Sequence, residues 1–288
     1  MKRILLPVFA SMHPGKKLLF FFFIVVASML TGGIIAFFWR GESLVELRIR
    51  VFVNQLFTFL IPAFIAAALY AEDRREYLGL RKVSSPVLLG LTFLIMLAFT
   101  PLVNYTGFLN AKMELPDVLA GLEESMRTFE EKARILTDRL LSSRKGLSDF
   151  ALNLLIVAFL PAVAEELIFR GVLLQIFREW SRSVHFAVGI SAFIFSFIHF
   201  QFYGFLPRFL LGLLFGYLFV WSKSIYIPVA AHFFNNAAAV SLYFFADADT
   251  DFLQESQNFG LGNENFIFVL WSLPVFLMLL FLFKKKSS

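Results

Sequence analysis

Long apolar runs recur along the whole chain, and they constrain the fold more than any other feature of the sequence. A bilayer core requires about 20 apolar residues per helix, with a range of about 17–25. Eight runs reach or approach that length, at 18–38, 51–71, 86–103, 147–170, 185–202, 204–222, 225–245 and 265–283. The sequence therefore predicts an all-α protein, a polytopic membrane helix bundle with about eight transmembrane helices.

The composition agrees with a membrane protein and excludes several other classes. Hydrophobic residues make up 59% of the chain, charged residues only 16%, and 40 of the 288 residues are Phe. A soluble domain has about 45–50% apolar residues, so an ordinary soluble enzyme is excluded. The chain has no Cys, which excludes disulfides, cysteine nucleophiles and cysteine-ligated zinc.

The basic residues predict the orientation of the bundle rather than a nucleic-acid partner. The formal net charge is +5, and much of the excess lies at the two ends, as Lys2, Arg3, Lys16, Lys17, Lys284, Lys285 and Lys286. The loop 246–264 has acidic residues but no Lys or Arg. Because basic loops stay inside the cell, we expect both termini of this multi-pass protein to be cytoplasmic. We expect no binding of nucleic acid.

Residues 104–146 form the only long polar stretch, between the third and fourth predicted spans. Within it, apolar residues recur at steps of three and four, which predicts one amphipathic helix; they are Leu119, Leu122, Met126, Phe129, Ala133, Leu136 and Leu140. This helix could cover the bundle, lie on the bilayer surface, or act as a lid over a substrate site. No second soluble domain is evident, so 1–288 is predicted to be a single membrane domain.

Ionisable and amide side chains cluster within the apolar runs at three places. They are Glu165, Glu166 and Arg170 in AEELIFRG, His199 in FSFIHF, and His232, Asn235 and Asn236 in AHFFNNA. A charged residue within a span costs about 2.5–3.5 kcal/mol on insertion scales, so each one requires a reason.

The first cluster contains two carboxylates with different surroundings. Glu166 and Arg170 are four residues apart, so they share a helix face and can form an ion pair. Glu165 is turned by about 100° from Glu166 and cannot use the arginine in the same way. Such a carboxylate suits a general base or a metal ligand. The alternative is that Glu165 only hydrogen-bonds another helix.

The three clusters can converge if the helix with Glu165 turns back near residues 181–184. Glu165 and His199 are then equally far from the turn. The predicted helix 225–245 starts on the same side of the membrane as that turn and carries His232. Two imidazoles and a carboxylate are typical ligands of catalytic zinc, with a fourth position for water. Taken alone, His199 is more readily explained as a core residue hydrogen-bonded to the backbone than as a ligand.

The motifs resemble those of a known family, the CAAX-protease and bacteriocin-processing (CPBP, or Abi-type) intramembrane proteases. The family pattern EExxxR, FxxxH, HxxxN is matched in order by Glu165, Glu166 and Arg170, by Phe195 and His199, and by His232 and Asn236. The resemblance covers about 147–245, which is the predicted catalytic core. It implies a multi-pass metalloendopeptidase, in which Glu166 and Arg170 are a structural pair and Phe195 packs.

The resemblance also implies roles for the remaining motif residues. Glu165 would activate the water, and His199 would position that water or bind metal. His232 and Asn236 would bind metal or hold the tetrahedral oxyanion. A zinc ion would be bound by Glu165, His199 and His232. The expected partners are the lipid bilayer and a peptide or membrane-protein substrate, prenylated or otherwise lipidated.

Two other classes of function remain open from the sequence. A non-catalytic immunity or scaffold protein would bind a partner through the same helices, and intact reactive residues argue against it without excluding it. A small transporter would use Glu165 and the histidines as a proton relay. The chain has no evident inverted repeat or pair of broken helices, which argues against a transporter.

Overall fold

A computed structural model describes residues 9–41, 43–141, 146–245 and 266–287, and these residues form a helical bundle. No β-strand occurs in these ranges. The helices are α1 (Pro14–Ala36), α2 (Leu44–Tyr70), α3 (Arg74–Tyr77), α4 (Val87–Ala111), α5 (Ala120–Leu141), α6 (Leu147–Ser181), α7 (Val184–Phe197), α8 (Phe205–Ser222), α9 (Tyr226–Phe245) and α10 (Phe266–Ser287). The predicted all-α polytopic bundle is confirmed.

The described part of the chain has six helices that are long and apolar enough to cross a membrane, rather than eight. The predicted run 185–202 is the clearest difference, since α7 ends at Phe197 and is too short. The run 225–245 forms α9, whose His232 and asparagines make it less apolar than the six. Both helices still belong to the bundle. The acidic loop 246–264 lies outside the described residues, and the orientation of the termini stays a prediction.

Prolines widen two helices next to the predicted site. The stretches Leu56–Leu60 in α2 and Leu154–Phe159 in α6 are π-helical, and Pro62 and Pro161 follow them two residues later. Proline has no N–H to donate and its ring crowds the carbonyl four residues earlier, so the preceding turn bonds five residues back instead. Gln55 lies directly before the first of these turns.

The predicted antiparallel hairpin at 181–184 is confirmed. Helix α6 ends at Arg182, which has a left-handed backbone (φ 55°), and Ser183 caps α7 by accepting from the Phe186 N–H at 3.3 Å. Farther along the hairpin, the Ser191 hydroxyl donates to the Phe169 carbonyl oxygen at 2.9 Å. The motif residues of α6 and the end of α7 therefore lie side by side.

Two glycines let α8 approach α7 closely. A Cβ atom at Gly212 would lie 2.9 Å from the Ala192 Cβ, and one at Gly216 would lie 2.8 Å from Val188 Cγ1. Small residues four apart allow this kind of contact between membrane helices. The approach leaves the Gly212 carbonyl and the Phe215 ring facing the core of the bundle.

The amphipathic helix predicted in 104–146 is α5, although α4 continues to Ala111 before it begins. Its apolar stripe is divided between two environments. Met126 and Ala133 are half-buried against the bundle, and Leu140 is buried. Phe129 is 60% exposed, and the residues seven before and seven after it, Leu122 and Leu136, are exposed as well. One edge of the stripe thus covers the bundle, while the other edge faces away from it.

Candidate active site

The predicted ion pair of Glu166 and Arg170 lies at the centre of the bundle. Arg170 Nη1 donates to Glu166 Oε1 at 2.8 Å, and the two residues are only 1% and 0% exposed. Arg170 Nη2 donates to the Gly212 carbonyl oxygen at 3.0 Å. His232 Nδ1 lies 2.9 Å from the same Glu166 oxygen, a contact that the sequence does not predict. Glu166 therefore joins α6 to α9, and Arg170 joins α6 to α8.

Aromatic rings surround this charged group and exclude water from it. The Arg170 guanidinium lies 5.0 Å from the ring centre of Phe195 and 5.4 Å from that of Phe215. The His232 ring stacks on Phe215 at 5.3 Å and meets Phe195 edge-on at 5.9 Å. The packing role predicted for Phe195 agrees with these contacts. Phe215 has no place in the sequence motifs and reaches the site because Gly212 and Gly216 bring α8 close.

Each histidine is held through its Nδ1 atom, which fixes the direction of the other ring nitrogen. His232 Nδ1 faces the Glu166 carboxylate, and His199 Nδ1 lies 2.7 Å from the Phe195 carbonyl oxygen. Both partners accept hydrogen bonds, so Nδ1 carries the proton in both rings. The Nε2 atoms of both rings are not used in these contacts, so they can take part in a reaction.

Glu165 faces one of these nitrogens from inside the bundle. The residue is buried, and its Oε2 lies 4.0 Å from His232 Nε2. That distance is longer than a hydrogen bond, so the pair stays open to a third group. His199 is close enough to interact electrostatically with both Glu165 and His232. The structure thus brings together the carboxylate and the two imidazoles that the motifs single out.

Asn236 is the motif residue with the weakest link to this group. Its Oδ1 accepts from the Asn235 Nδ2 at 3.3 Å, so the two neighbouring amides touch. In the part of the chain that the structure describes, no hydrogen bond joins Asn236 to Glu165 or His232. Its own Nδ2 remains a donor. The predicted role of Asn236 stays a prediction.

Two polar residues outside the motifs interact with Glu165. Gln55 on α2 donates through Nε2 to Glu165 Oε1 at 3.3 Å. Arg208 on α8 interacts electrostatically with Glu165 and donates to the side chain and carbonyl of Gln201. A sequence signal exists for both, since Gln55 and Arg208 interrupt the apolar runs 51–71 and 204–222.

No preformed metal site is found in residues 9–41, 43–141, 146–245 and 266–287. None of their His, Asp and Glu side chains form a group of three that could hold a metal ion. The donor types predicted for zinc lie near one another, but Glu165 and His232 do not yet face a common point at metal-ligand distances. The zinc ligand set of Glu165, His199 and His232 stays a prediction.

Helix α5 covers the segment that follows His199. The Tyr203 hydroxyl donates to Glu123 Oε1 at 2.8 Å, and the Leu115 N–H and Arg127 donate to the same carboxylate. These hydrogen bonds, first the one from Leu115, lower the pKa of Glu123 from its ordinary value. Burial against the same segment raises the pKa of Glu130, which lies seven residues farther along α5.

Comparison with known proteins found a match to the segment that contains the motif residues. Residues 147–238 match the model of a protein family described as type II CAAX prenyl endopeptidase Rce1-like. No curated protein and no solved structure matches the chain. The resemblance inferred from the motifs is thereby confirmed: residues 147–238 are a domain of the CAAX-protease type, set in a multi-pass integral membrane protein. The family is one of proteases, while Gln55 and α5 lie outside the matched segment.

Proposed function

We propose that this protein is an intramembrane endopeptidase that hydrolyses a peptide bond with a water molecule activated by Glu165. One observation carries the proposal. A buried carboxylate, Glu165, lies 4.0 Å from His232 Nε2, beside a second imidazole, that of His199. A carboxylate and an imidazole at this separation can act on one reacting group.

In the proposed reaction, Glu165 removes a proton from water as the water oxygen attacks the scissile carbonyl carbon. His199 Nε2 accepts the other hydrogen of that water and orients it. His232 Nε2, when protonated, donates to the oxyanion, because Glu166 stabilises the imidazolium from the Nδ1 side. Asn236 Nδ2 is the second oxyanion donor. Glu165 then gives its proton to the leaving amine, and the peptide bond breaks.

Zinc assistance is a further part of the proposal, and no step above requires it. If zinc binds, Glu165, His199 and His232 would hold it, and it would polarise the carbonyl and the water. Metal analysis of the purified protein tests this. One zinc per chain in the wild type, lost in His199→Ala, supports it; no bound zinc in an active preparation contradicts it.

The proposed substrate is a membrane-associated peptide or protein, prenylated or otherwise lipidated. The family description supports this, because its members are CAAX prenyl endopeptidases. The surroundings support it as well. Phe193, Phe197 and Phe200 are exposed on the segment that ends in the second motif, so an apolar chain attached to a substrate can lie beside His199.

The test compares protein termini in cells that contain the wild type or Glu165→Gln at equal membrane levels. We expect new N- and C-termini in the wild-type cells that the variant cells lack. Glu124→Gln, an exposed residue on α5, is the matched control and should cleave like the wild type. Identical termini in wild-type and Glu165→Gln cells would contradict proteolysis and favour a non-catalytic immunity or scaffold protein.

A further inference from the structure

Gln55 is a polar contact of Glu165 that comes from outside the family-type segment 147–238. It lies on α2, and only 9% of it is exposed. Its Nε2 donates to Glu165 Oε1, which leaves Oε2 as the carboxylate oxygen that faces His232. The Gln55 amide thus decides which of the two oxygens is available for the reaction.

The other end of the same amide is Gln55 Oε1, which is buried. Among the residues that the structure describes, none donates a hydrogen bond to it. Buried acceptors without donors are disfavoured, and an apolar residue of equal length would avoid the cost. The polar side chain at this position is therefore explained by the hydrogen bond that it donates to Glu165 rather than by its own stability.

Helix α2, which carries Gln55, is attached to α6 through the side chain of Arg48. Arg48 lies two helical turns earlier on the same face, and its Nη1 and Nη2 donate to Asp149 Oδ1 and Asn153 Oδ1 on α6, at 2.8 and 3.0 Å. The π-helical turn that precedes Pro62 begins directly after Gln55. Helix α2 is therefore attached to α6 on the same side at which Gln55 reaches Glu165.

We propose that Gln55 is a positioning residue for Glu165 in the hydrolytic reaction. Its Nε2–H fixes the rotamer of the carboxylate so that Oε2 faces the water and His232. The inference rests on the proposed function, because it assigns a role within the same site. It predicts an effect on the rate of the chemical step rather than on substrate binding.

Three variants of purified protein in lipid nanodiscs test this, with a peptide that spans the cleavage site found in cells. Gln55→Met keeps the length but loses both polar atoms, and we expect kcat to fall about tenfold or more with KM nearly unchanged, as for a lost hydrogen bond to a charged group. Gln55→His places a ring N–H at a similar reach and should recover most of kcat. Asn54→Ala, on the exposed face next to it, should behave like the wild type.

The outcomes separate this inference from the proposed function. If Glu165→Gln abolishes cleavage while Gln55→Met keeps the wild-type kcat, the role of Gln55 is wrong and the proposed function stands. If Gln55→Met lowers kcat together with the melting temperature, and Gln55→His recovers neither, Gln55 is only structural and the inference is again wrong. If the wild type releases no termini that Glu165→Gln lacks, both proposals fail.

Discussion

Two ion pairs with the same spacing lie in contrasting regions of the molecule. Glu166 and Arg170 on α6 have side chains that are 0% and 2% exposed, whereas Arg134 and Asp138 on α5 are 62% and 34% exposed. Both pairs join residues four apart through one N–O contact of 2.8 to 2.9 Å. Water can replace either partner at the surface, but nothing can replace a lost partner in the bundle core. Removing one partner should therefore cost much more stability in the bundle core than at the surface, although the two pairs have the same geometry.

The buried pair also has neighbours that the surface pair lacks. Glu166 Oε1 accepts from both Arg170 and His232, and Arg170 also reaches the Gly212 carbonyl on α8. The pair thereby holds three helices in register around Glu165. The partners of Arg134, by contrast, are Glu131 and Asp138 of its own helix. Asp138 is joined to α9 without Arg134, since the Tyr243 hydroxyl donates to its Oδ1 at 3.0 Å.

The largest effect is expected from Arg170→Ala. The change leaves the Glu166 carboxylate buried without its cation, and removing one member of a buried pair costs about 3–5 kcal/mol. We expect much less protein in the membrane and a lower melting temperature of what remains. Quantitative blotting of membrane fractions and thermal unfolding in detergent measure this. A normal yield and melting temperature would show that the pair is not structural.

A double replacement separates stability from activity. Glu166→Leu combined with Arg170→Met removes both charges and keeps the volume, so most of the lost stability should return, as it does for other buried pairs replaced by apolar residues. His232 loses its Nδ1 partner in this protein, so cleavage should stay absent. Recovery of cleavage along with stability would contradict the orienting role of Glu166.

An intermediate effect is expected at the contact between α5 and Tyr203, and it depends on pH. Because the pKa of Glu123 is lower in the folded protein than its ordinary value, its hydrogen bonds stabilise α5 above that value and are lost as the pH falls through the folded pKa. The protection of residues 114–127 against hydrogen exchange, measured relative to the intrinsic exchange rate at each pH, should fall on acidification.

Glu123→Gln is the control for this effect. It should exchange faster at neutral pH and show no further step on acidification. The neighbouring Glu130 acts in the opposite direction, since its pKa is raised, and it is present in both proteins, so the difference between them isolates Glu123. The same acid step in both proteins would show that Glu123 does not hold α5.

The smallest effect is expected from Arg134→Ala at the exposed pair. Isolated pairs in water contribute little, because solvation and side-chain entropy offset the attraction. The melting temperature and membrane yield should match the wild type within error. A loss comparable to that of Arg170→Ala would remove the contrast between the two regions.

Much of the contrast between the two ion pairs can be predicted from the sequence, because each pair lies within a single helix. A spacing of four puts Glu166 and Arg170 on one face, and their place in a long apolar run predicts their burial. The hairpin at 181–184 and the meeting of Glu165 with His232 also follow from helix lengths. The number of membrane spans does not follow from the sequence in this way, since α7 ends at the break at 198–201 and not where the hydrophobic run ends.

What the sequence determined by itself is the membrane bundle, the motif residues and the pairs within single helices, because these depend on the apolar period and on steps of 3.6 residues. Only the tertiary structure decided that His232 bonds Glu166, that Phe215 stacks on His232 and that Gln55 reaches Glu165. Those contacts cross between helices. They depend on π-helical turns before prolines, which rotate the faces of α2 and α6, and on glycines that let α8 approach α7. The periodicity of the sequence within one helix does not specify how two helices are rotated and spaced relative to each other.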